Sequence, residues 1–449
     1  MPVSVRHALR PHVGRVPFGM QPSTRRACEI ALVVLRHGLD SLLDLLDLRV
    51  LLPGIHRVPP GTPRGGPIHV RRAFEQLGPT FMKLGQVLST RPDLVPPDYE
   101  AELARLQDTA STVPFREIVA AVEAALGRPL YEAFARFEPV PIAAASIGQV
   151  HAATLPNGSD VVVKVRRPGV IDQVNIDLDL INRIAAATAR RSACAARYDP
   201  VGLAHEFGTT LLAELDYVRE GRNAELVASE FEDDERVHVP KVFWDCTRDG
   251  VITEERVRGV KINDLRALDA GGIDRASVAR TFADAYLSMV FVHGFFHADP
   301  HPGNVFVESA ERIAFVDFGM VGSVTPQASR GLGTIVLALV TTDASRMANG
   351  LLRLGIACDD VDRPALQRDL ARFLEQHAGT PLEQLRIGPL LTDLMTVVRA
   401  RSLRLPSDLA LLLKTVMMCE GVAAQLDPEF ELVPMLVPYA SQLTLEEGN

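Results

Sequence analysis

The apolar positions change their period several times along the chain, and each change predicts a different element. From Arg26 to Leu52, Leu and Val recur at helical spacing, interrupted by Glu29, Arg36, Asp40, Asp44 and Asp47, and Pro53-Gly54 ends the pattern. This predicts an amphipathic helix, too often charged to be a membrane span. The Pro/Gly-rich stretch 58–67 marks a boundary, and residues 68–136 read as a helical block broken at Gly78-Pro79 and at Pro92, Pro96 and Pro97. From Phe137 the pattern turns to strands. Two β-rich runs, 141–155 and 159–166, flank Pro156-Asn157-Gly158, and Asn-Gly in such a place signals a tight hairpin. In the second run Val161, Val163 and Val165 face one side while Val162 and Lys164 face the other, so a lysine stands on a largely apolar strand and needs a partner. Helical patterns return over 199–230 and 275–293, a second hairpin-like stretch spans 304–319, and helices fill 325–445 with no internal repeat. Two small strand clusters among long helices predict an α+β fold.

At 449 residues, 47% hydrophobic and 23% charged, the chain has material for two or three cores and the balance of a globular rather than a disordered protein. No run of apolar residues approaches the ~20 of a membrane span. Cys28, Cys194, Cys246, Cys358 and Cys419 stand far apart, without the paired spacing of a zinc ribbon or a redox dithiol. The first twenty residues lack the apolar core of a secretory signal, and both features favour a cytoplasmic protein. A net charge of −9 argues against general nucleic-acid binding. The charge is uneven, because residues 1–72 hold eleven Arg, no Lys and four acids. A basic arm on an acidic body is either a solvated tail or a peripheral contact, through residues 1–60, with anionic lipid at the inner face of a membrane.

Only five of the 47 basic residues are lysine: Lys83, Lys164, Lys241, Lys261 and Lys414. A chain that otherwise uses Arg for a generic cation keeps Lys where a compact ammonium suits phosphate oxygens. Lys164 and, less directly, Lys83 are the candidates. After the apolar helix with Phe282, Ala285, Tyr286, Met289 and Val290 comes His297-Ala-Asp-Pro-His-Pro-Gly-Asn304, then Asp317-Phe-Gly319. Asp299 and Asn304 are five apart and Asp317 follows eighteen after Asp299, the arrangement of a kinase catalytic loop and its metal-bridging carboxylate. Magnesium takes hard oxygen ligands and keeps water and substrate phosphates, so Asn304 and Asp317 suffice as its protein ligands. A competing reading makes His297, Asp299 and His301 a zinc hydrolase cluster. Farther upstream, Glu214, Asp216 and Glu220 read as one acidic helix: Asp216 and Glu220 share a face, Glu214 projects almost oppositely, and the helix meets two different cations.

Together these residues resemble the UbiB family of atypical kinases, which includes mitochondrial and bacterial proteins linked to ubiquinone biosynthesis. Lys83-Leu-Gly-Gln86 is similar to its KxGQ signature, Ala143-Ala-Ala-Ser-Ile-Gly-Gln-Val-His151 to its alanine-rich loop, and Glu214-Leu-Asp216 to its ExD motif. The resemblance implies a two-lobed kinase-like fold. Its divisions are an arm with amphipathic helix (1–67), a helical KxGQ extension covering the nucleotide cleft (68–136), an N-lobe (137–265) and a C-lobe with helical tail (266–449). It also implies ATP/ADP and Mg²⁺ as cofactors. Ala143, Ala144, Ala145, Ser146, Ile147, Gly148, Gln149 and Val150 would lie along the nucleotide, and Lys164, paired with Glu220, on its α/β-phosphates. Asp299 would be the base, and Lys83, Gln86, Glu214 and Asp216 a regulatory set, with Lys83 engaging Glu214. Alanine resists positive φ by ~1–2 kcal/mol, so this loop should be stiffer than a glycine-rich one. With no Ala-Pro-Glu and little chain between Asp317 and the next helix, a peptide-docking platform is not expected. The implied function is an ATP-dependent kinase or ATPase supporting quinone or isoprenoid-lipid biosynthesis, with a lipid or quinone-precursor ligand and a biosynthetic complex or homodimer as partners. Two alternatives stand beside it: a small-molecule phosphotransferase similar to aminoglycoside or choline kinases, and a nucleotide-sensing, lipid-binding scaffold with little turnover.

Overall fold

Proline in the first helical turn costs no hydrogen bond, and helices here start at Pro22, Pro67, Pro79, Pro97, Pro200 and Pro326. The computed structural model describes residues 21–39, 65–89, 94–106, 112–191, 199–354, 361–378, 381, 384–401, 403 and 406–445. The chain divides into two units, Met1–Met82 with Ile171–Gly208, and Lys83–Val170 with Thr209–Asn449.

In the first unit, helix Pro22–Arg36 buries Ala27, Cys28, Ile30, Ala31, Val33 and Val34. Its Arg26 holds Asp177 of helix Val170–Arg191 through two bonds, Nε to Oδ1 at 2.7 Å and Nη2 to Oδ2 at 3.0 Å. Asp177 is fully buried, and the guanidinium fork is what makes its charge tolerable there. The first helix is shorter than the 26–52 pattern predicts. It ends at Arg36, and Gly38, in the left-handed region at φ +67°, turns the chain. Residues 1–20 and 40–64, most of the arm considered as a lipid contact, lie outside the described residues. Helix Val170–Arg191 is an element that the sequence reading passed over, although Val170, Val174, Leu178, Ile181 and Ala185 recur at helical spacing and are all buried.

The strands lie in the second unit: β1 (Arg136–Phe137), β2 (Ala143–Ala144), β3 (Gly148–Thr154), β4 (Asp160–Arg166), β5 (Val237–His238), β6 (Val251–Glu255), β7 (Val260–Lys261), β8 (Phe295–His297), β9 (Val305–Val307), β10 (Ile313–Phe315) and β11 (Val321–Ser323). One sheet runs β1-β3-β4-β6 with β2 on β3, a second runs β5-β10-β9-β7, and β11 pairs β8. The β3–β4 hairpin stays in register from Gly148 opposite Arg166 to Thr154 opposite Asp160, and Gly158 at φ +87° makes its turn. Val161, Val163 and Val165 are fully buried in a cluster with Ile118 and Val122 of helix Phe115–Leu126. A slip of one residue would expose all three valines, so this packing fixes the register and sends Lys164 to the opposite face.

The second sheet rests on helix Arg275–Ser288. Phe282 and Tyr286 meet edge to face at 5.0 Å, and Tyr286 meets Phe315 of β10 in the same way at 5.4 Å. These rings anchor the strand ends from which the 298–304 and 316–320 loops leave. The tail is helical as expected: Pro326–Thr341, Ala344–Arg353, Arg363–His377, Ile387–Ala400, Ser407–Leu426 and Leu432–Leu445. No unbroken apolar run of span length occurs in it, as expected, yet Asp408–Leu426 is long and apolar enough to cross a membrane by length and composition alone. Half of it is buried. It packs on helix Arg275–Ser288, Thr415 Oγ1 donates to the Ala298 carbonyl at 3.3 Å, and Glu420 accepts the backbone N–H groups of Ile387 and Gly388 at 2.7 and 2.9 Å. It serves as a core helix whose apolar run is broken by Lys414 and Glu420.

Candidate active site

Lys164 leaves the valine core of β4 and meets two carboxylates. Its Nζ lies 2.8 and 3.0 Å from the oxygens of Glu220 and 2.9 Å from Asp317 Oδ1, with the Tyr217 ring centred 5.2 Å away. Side-chain exposure is 1% for Glu220, 15% for Lys164 and 48% for Asp317, so the cluster is dry at its root and open at Asp317.

The acidic stretch that supplies Glu220 is not the single helix its periodicity predicts. Helix Pro200–Glu214 ends, and helix Tyr217–Glu230 starts anew with Asp216 as its N-cap, the carboxylate accepting the Arg219 N–H at 3.0 Å. A short acidic side chain that takes a backbone donor competes with the helix it sits in, and here it breaks it. Asp216 is thus a capping residue rather than a cation-facing partner. The break aims the two glutamates separately: Glu220 at Lys164, and Glu214 at Lys83, whose Nζ lies 2.9 Å from Glu214 Oε1. Gln86 commits its amide donor to the Leu106 carbonyl at 3.2 Å.

The alanine-rich loop is a tight hairpin. Ala143 and Ala144 form β2, the Ala145 N–H donates to the Gly148 carbonyl at 2.9 Å, and Ser146 and Ile147 are buried. No residue from 143 to 147 takes a left-handed conformation. Gly148 is where space is shortest, since a Cβ there would lie 2.4 Å from the Tyr217 hydroxyl. Val150 stands opposite Lys164 and shares its face. Gln149 faces the other side: it is fully buried, accepts the Val113 N–H and lies 3.2 Å from His151. Its side chain belongs to the core and not to a ligand surface.

On the second sheet, His297 is fully buried with both ring nitrogens in use, Nε2 toward the Val316 carbonyl at 3.0 Å and Nδ1 accepting the Asp299 N–H at 3.1 Å. His301 Nδ1 accepts the Gly303 N–H at 3.0 Å. These bonds favour a structural role for the imidazoles, which hold the loop together, over the zinc-hydrolase reading, and no group of three or more His, Cys, Asp or Glu that could hold a metal occurs among the described residues. Asn304 Nδ2 donates to the Asp299 carbonyl at 3.2 Å and to Asp299 Oδ2 at 3.3 Å, closing the loop. Asp317 sits at φ +67°, a strained conformation for a non-glycine residue. It is held by its neighbour Phe318, fully buried, edge to face with His297 at 5.1 Å, its carbonyl accepting from Asn223 Nδ2 at 3.0 Å.

Electrostatically, one ammonium serves several acids. Burial by itself would lower the Lys164 pKa, but Asp317 and Glu220 outweigh it and hold it well above that of a free lysine. Partial desolvation against the Lys164 cluster would raise Asp317, yet Lys164 and its hydrogen bond, helped by His297 and Lys83, hold it well below the usual carboxylate range. Glu220 moves the other way, because its burial and the nearby Asp317 and Glu254 exceed what Lys164 returns. Glu254 of β6 is 6% exposed, its Oε1 has no hydrogen-bond partner among the described residues, and burial pushes it up as well. The sequence reading missed Glu254, which no motif marks. It also missed Lys414, which Thr415 brings beside the Asp299 loop and whose only signal was the scarcity of lysine.

The Asp317 carboxylate, at the open edge of the cluster, and the amide oxygen of Asn304 are hard donors of the kind that suits magnesium, and two protein ligands are what that ion takes alongside phosphates. A strained carboxylate beside a partly buried lysine thus fits a metal–polyphosphate. Comparison with known proteins agrees. Residues 105–351, more than half of the chain, match the ABC1 atypical kinase-like domain, and residues 370–431 match the UbiB helical domain. The chain is 37% identical over 420 residues to a probable protein kinase UbiB of Xylella fastidiosa, covering 91% of this chain and 76% of that protein. It is 36% identical over 375 residues to the protein sll1770 of Synechocystis, covering 83% of this chain but only 64% of that protein's length. The structure of the Rv3197–erythromycin complex from Mycobacterium tuberculosis shares the fold at TM-score 0.56 and 24% identity, covering 78% of this chain and 90% of that one. Since the kinase-like match encloses both the lysine hairpin and the Asp299 loop, and the helical match falls on the tail behind them, the chain belongs to the ABC1/UbiB family of atypical kinases.

Proposed function

We propose that this chain binds magnesium–ATP and turns it over as an atypical kinase or ATPase whose acceptor is water, a small molecule or a lipid, in support of quinone or isoprenoid-lipid biosynthesis. The observation that carries this reading is the convergence of Lys164, Glu220 and Asp317, three residues from distant parts of the chain, in one cluster with bonds of 2.8 to 3.0 Å. Lys164, oriented by Glu220, would bind the α/β-phosphates, and Asn304 and Asp317 would hold the metal, which supplies charge neutralisation at the phosphates. Asp299, its Oδ2 steadied by Asn304, would orient the attacking water or take the proton of an acceptor hydroxyl. Lys83, tied to Glu214, would be a second cation near the site. A peptide acceptor is disfavoured, because only β11 and its turns separate Asp317 from the helix that begins at Pro326. The link to quinones and to a membrane rests on the resemblance to UbiB proteins.

The test is turnover of ATP by the purified full chain, with and without isoprenoid lipid vesicles, followed by mass spectrometry of every product. Phosphate alone supports an ATPase, a phosphorylated lipid or metabolite a transferase, and nucleotide binding at background turnover the scaffold alternative. In Asp299→Asn, nucleotide affinity should persist while turnover falls by ~10²–10⁴. Equal loss of both would give Asp299 a structural role instead.

A further inference from the structure

Phosphoryl transfer needs positive charge on the transferring group as well as on the phosphates left behind. The cations already placed are committed: Lys164 to Glu220 and Asp317, and Lys83 to Glu214. The loop from Asp299 to Asn304 carries Pro300, His301, Pro302 and Gly303, with neither Lys nor Arg, and His301 spends Nδ1 on the Gly303 N–H. A third lysine comes from the helical tail. Helix Ser407–Leu426 packs on this loop at Thr415, 1% exposed, whose Oγ1 shares its hydrogen between the Leu411 carbonyl of its own helix at 2.9 Å and, at 3.3 Å, the carbonyl of Ala298, the residue before Asp299. Lys414, the adjacent residue, is partly buried, and among the described residues it makes neither a hydrogen bond nor an ion pair. Burial lowers its pKa, with Asp299, Lys83 and Glu214 all near enough to act on it. An ammonium held partly out of water, near carboxylates that it does not bond, is placed to take an anionic group that arrives.

Resting on the nucleotide reading above, we propose that Lys414 is a catalytic residue: its ammonium, delivered by the helical tail, binds the terminal phosphoryl group of ATP beside Asp299. In the transfer, the bond between the γ-phosphorus and the β–γ bridging oxygen breaks, and the bond from the oxygen of water or an acceptor hydroxyl to that phosphorus forms. The acceptor's proton passes to Asp299 or to solvent, and ADP departs. Lys414 stays protonated throughout and stabilises the charge on the moving group. The helical tail, which carries no kinase-like sheet of its own, thereby contributes to the chemistry.

The experiment compares equilibrium binding of Mg-ATP and Mg-ADP to the full-length wild type, Lys414→Met and Lys414→Arg, alongside their melting temperatures without nucleotide. Lys414→Met should weaken ATP by about tenfold or more, the range of a lost charge-assisted hydrogen bond, and leave ADP unchanged. Lys414→Arg should restore most of the preference for ATP. Because the ammonium serves the ligand, Lys414→Met should melt no lower than the wild type. Equal weakening of ATP and ADP, no change in either, or a variant that melts lower or fails to fold would each overturn the proposal. A wild type that binds neither nucleotide would instead sink the functional reading beneath it.

Discussion

Glu254 poses the sharpest question at the scale of single residues, since its strand would pair equally well with a neutral side chain there. It stands opposite Val162 on the face that carries Lys164, buried and with one oxygen unpartnered. Burial, and then the negative charge of Asp317, raise its pKa above the ordinary carboxylate value more than Lys164 lowers it. The folded state therefore holds a proton at Glu254 where the unfolded chain has released it. Its contribution to stability is fully present below the unfolded pKa and is lost as the pH rises through the raised, folded value. Replacing it with Gln keeps the shape and removes the titration. Denaturant midpoints between about pH 5 and about pH 8 should fall more steeply for the wild type than for Glu254→Gln, with the variant the more stable at the alkaline end. Parallel curves would mean that Glu254 keeps its charge at all these pH values. Asp317 has the opposite sign: its stabilisation is present above the unfolded pKa and is lost only as the pH falls through its depressed folded value, far below this window.

Among elements, the β3–β4 hairpin shows what local pattern can and cannot reveal. Valine alternation and Asn157-Gly158 are local signals, and they placed Lys164 on its face because packing and turn geometry act on neighbouring residues. The partners of Lys164 come from residues 56 and 153 positions away: the pairing with Glu220 was implied only by the resemblance to a family, and Asp317 was marked by its spacing from Asp299. Periodicity misled at residues 214–216, because an N-cap and a mid-helix acid look alike until the backbone donor of Arg219 is seen. Gly148 marks the tightest contact of this hairpin with helix Tyr217–Glu230. The Tyr217 hydroxyl it touches is buried and has no hydrogen-bond partner among the described residues. Gly148→Ala should cost about 1–3 kcal/mol by overpacking. Tyr217→Phe alone should be near neutral, since it removes a buried polar group without a bond. The double variant should recover much of the loss, a coupling that a double-mutant cycle on urea midpoints measures. Additive effects would place the strain of Gly148→Ala elsewhere, for instance against the Val165 carbonyl, 3.1 Å from the same Cβ.

For the whole molecule, the distribution of the site over sequence sets how a ligand must act on stability. Lys164 comes from the first sheet, Glu220 from the helix after the Asp216 break, Asn304 and Asp317 from the ends of the second sheet, and all belong to the unit Lys83–Val170 with Thr209–Asn449. A nucleotide joining them would add bonds between elements otherwise linked through the Lys164 cluster. Magnesium–ADP at 100 times its Kd should stabilise the folded protein by about 2.7 kcal/mol. In a calorimetric scan of the full chain, this should raise the transition belonging to that unit; if the helical first unit melts separately, its transition should stay in place. Asp317→Asn should abolish the magnesium-dependent part of the shift, because the amide keeps the size of the carboxylate but loses the charge that a hard cation needs. Asp299→Asn should retain the shift, since its role lies with the acceptor. A full shift in Asp317→Asn would remove that carboxylate from the metal site and leave it only as the partner that holds Lys164.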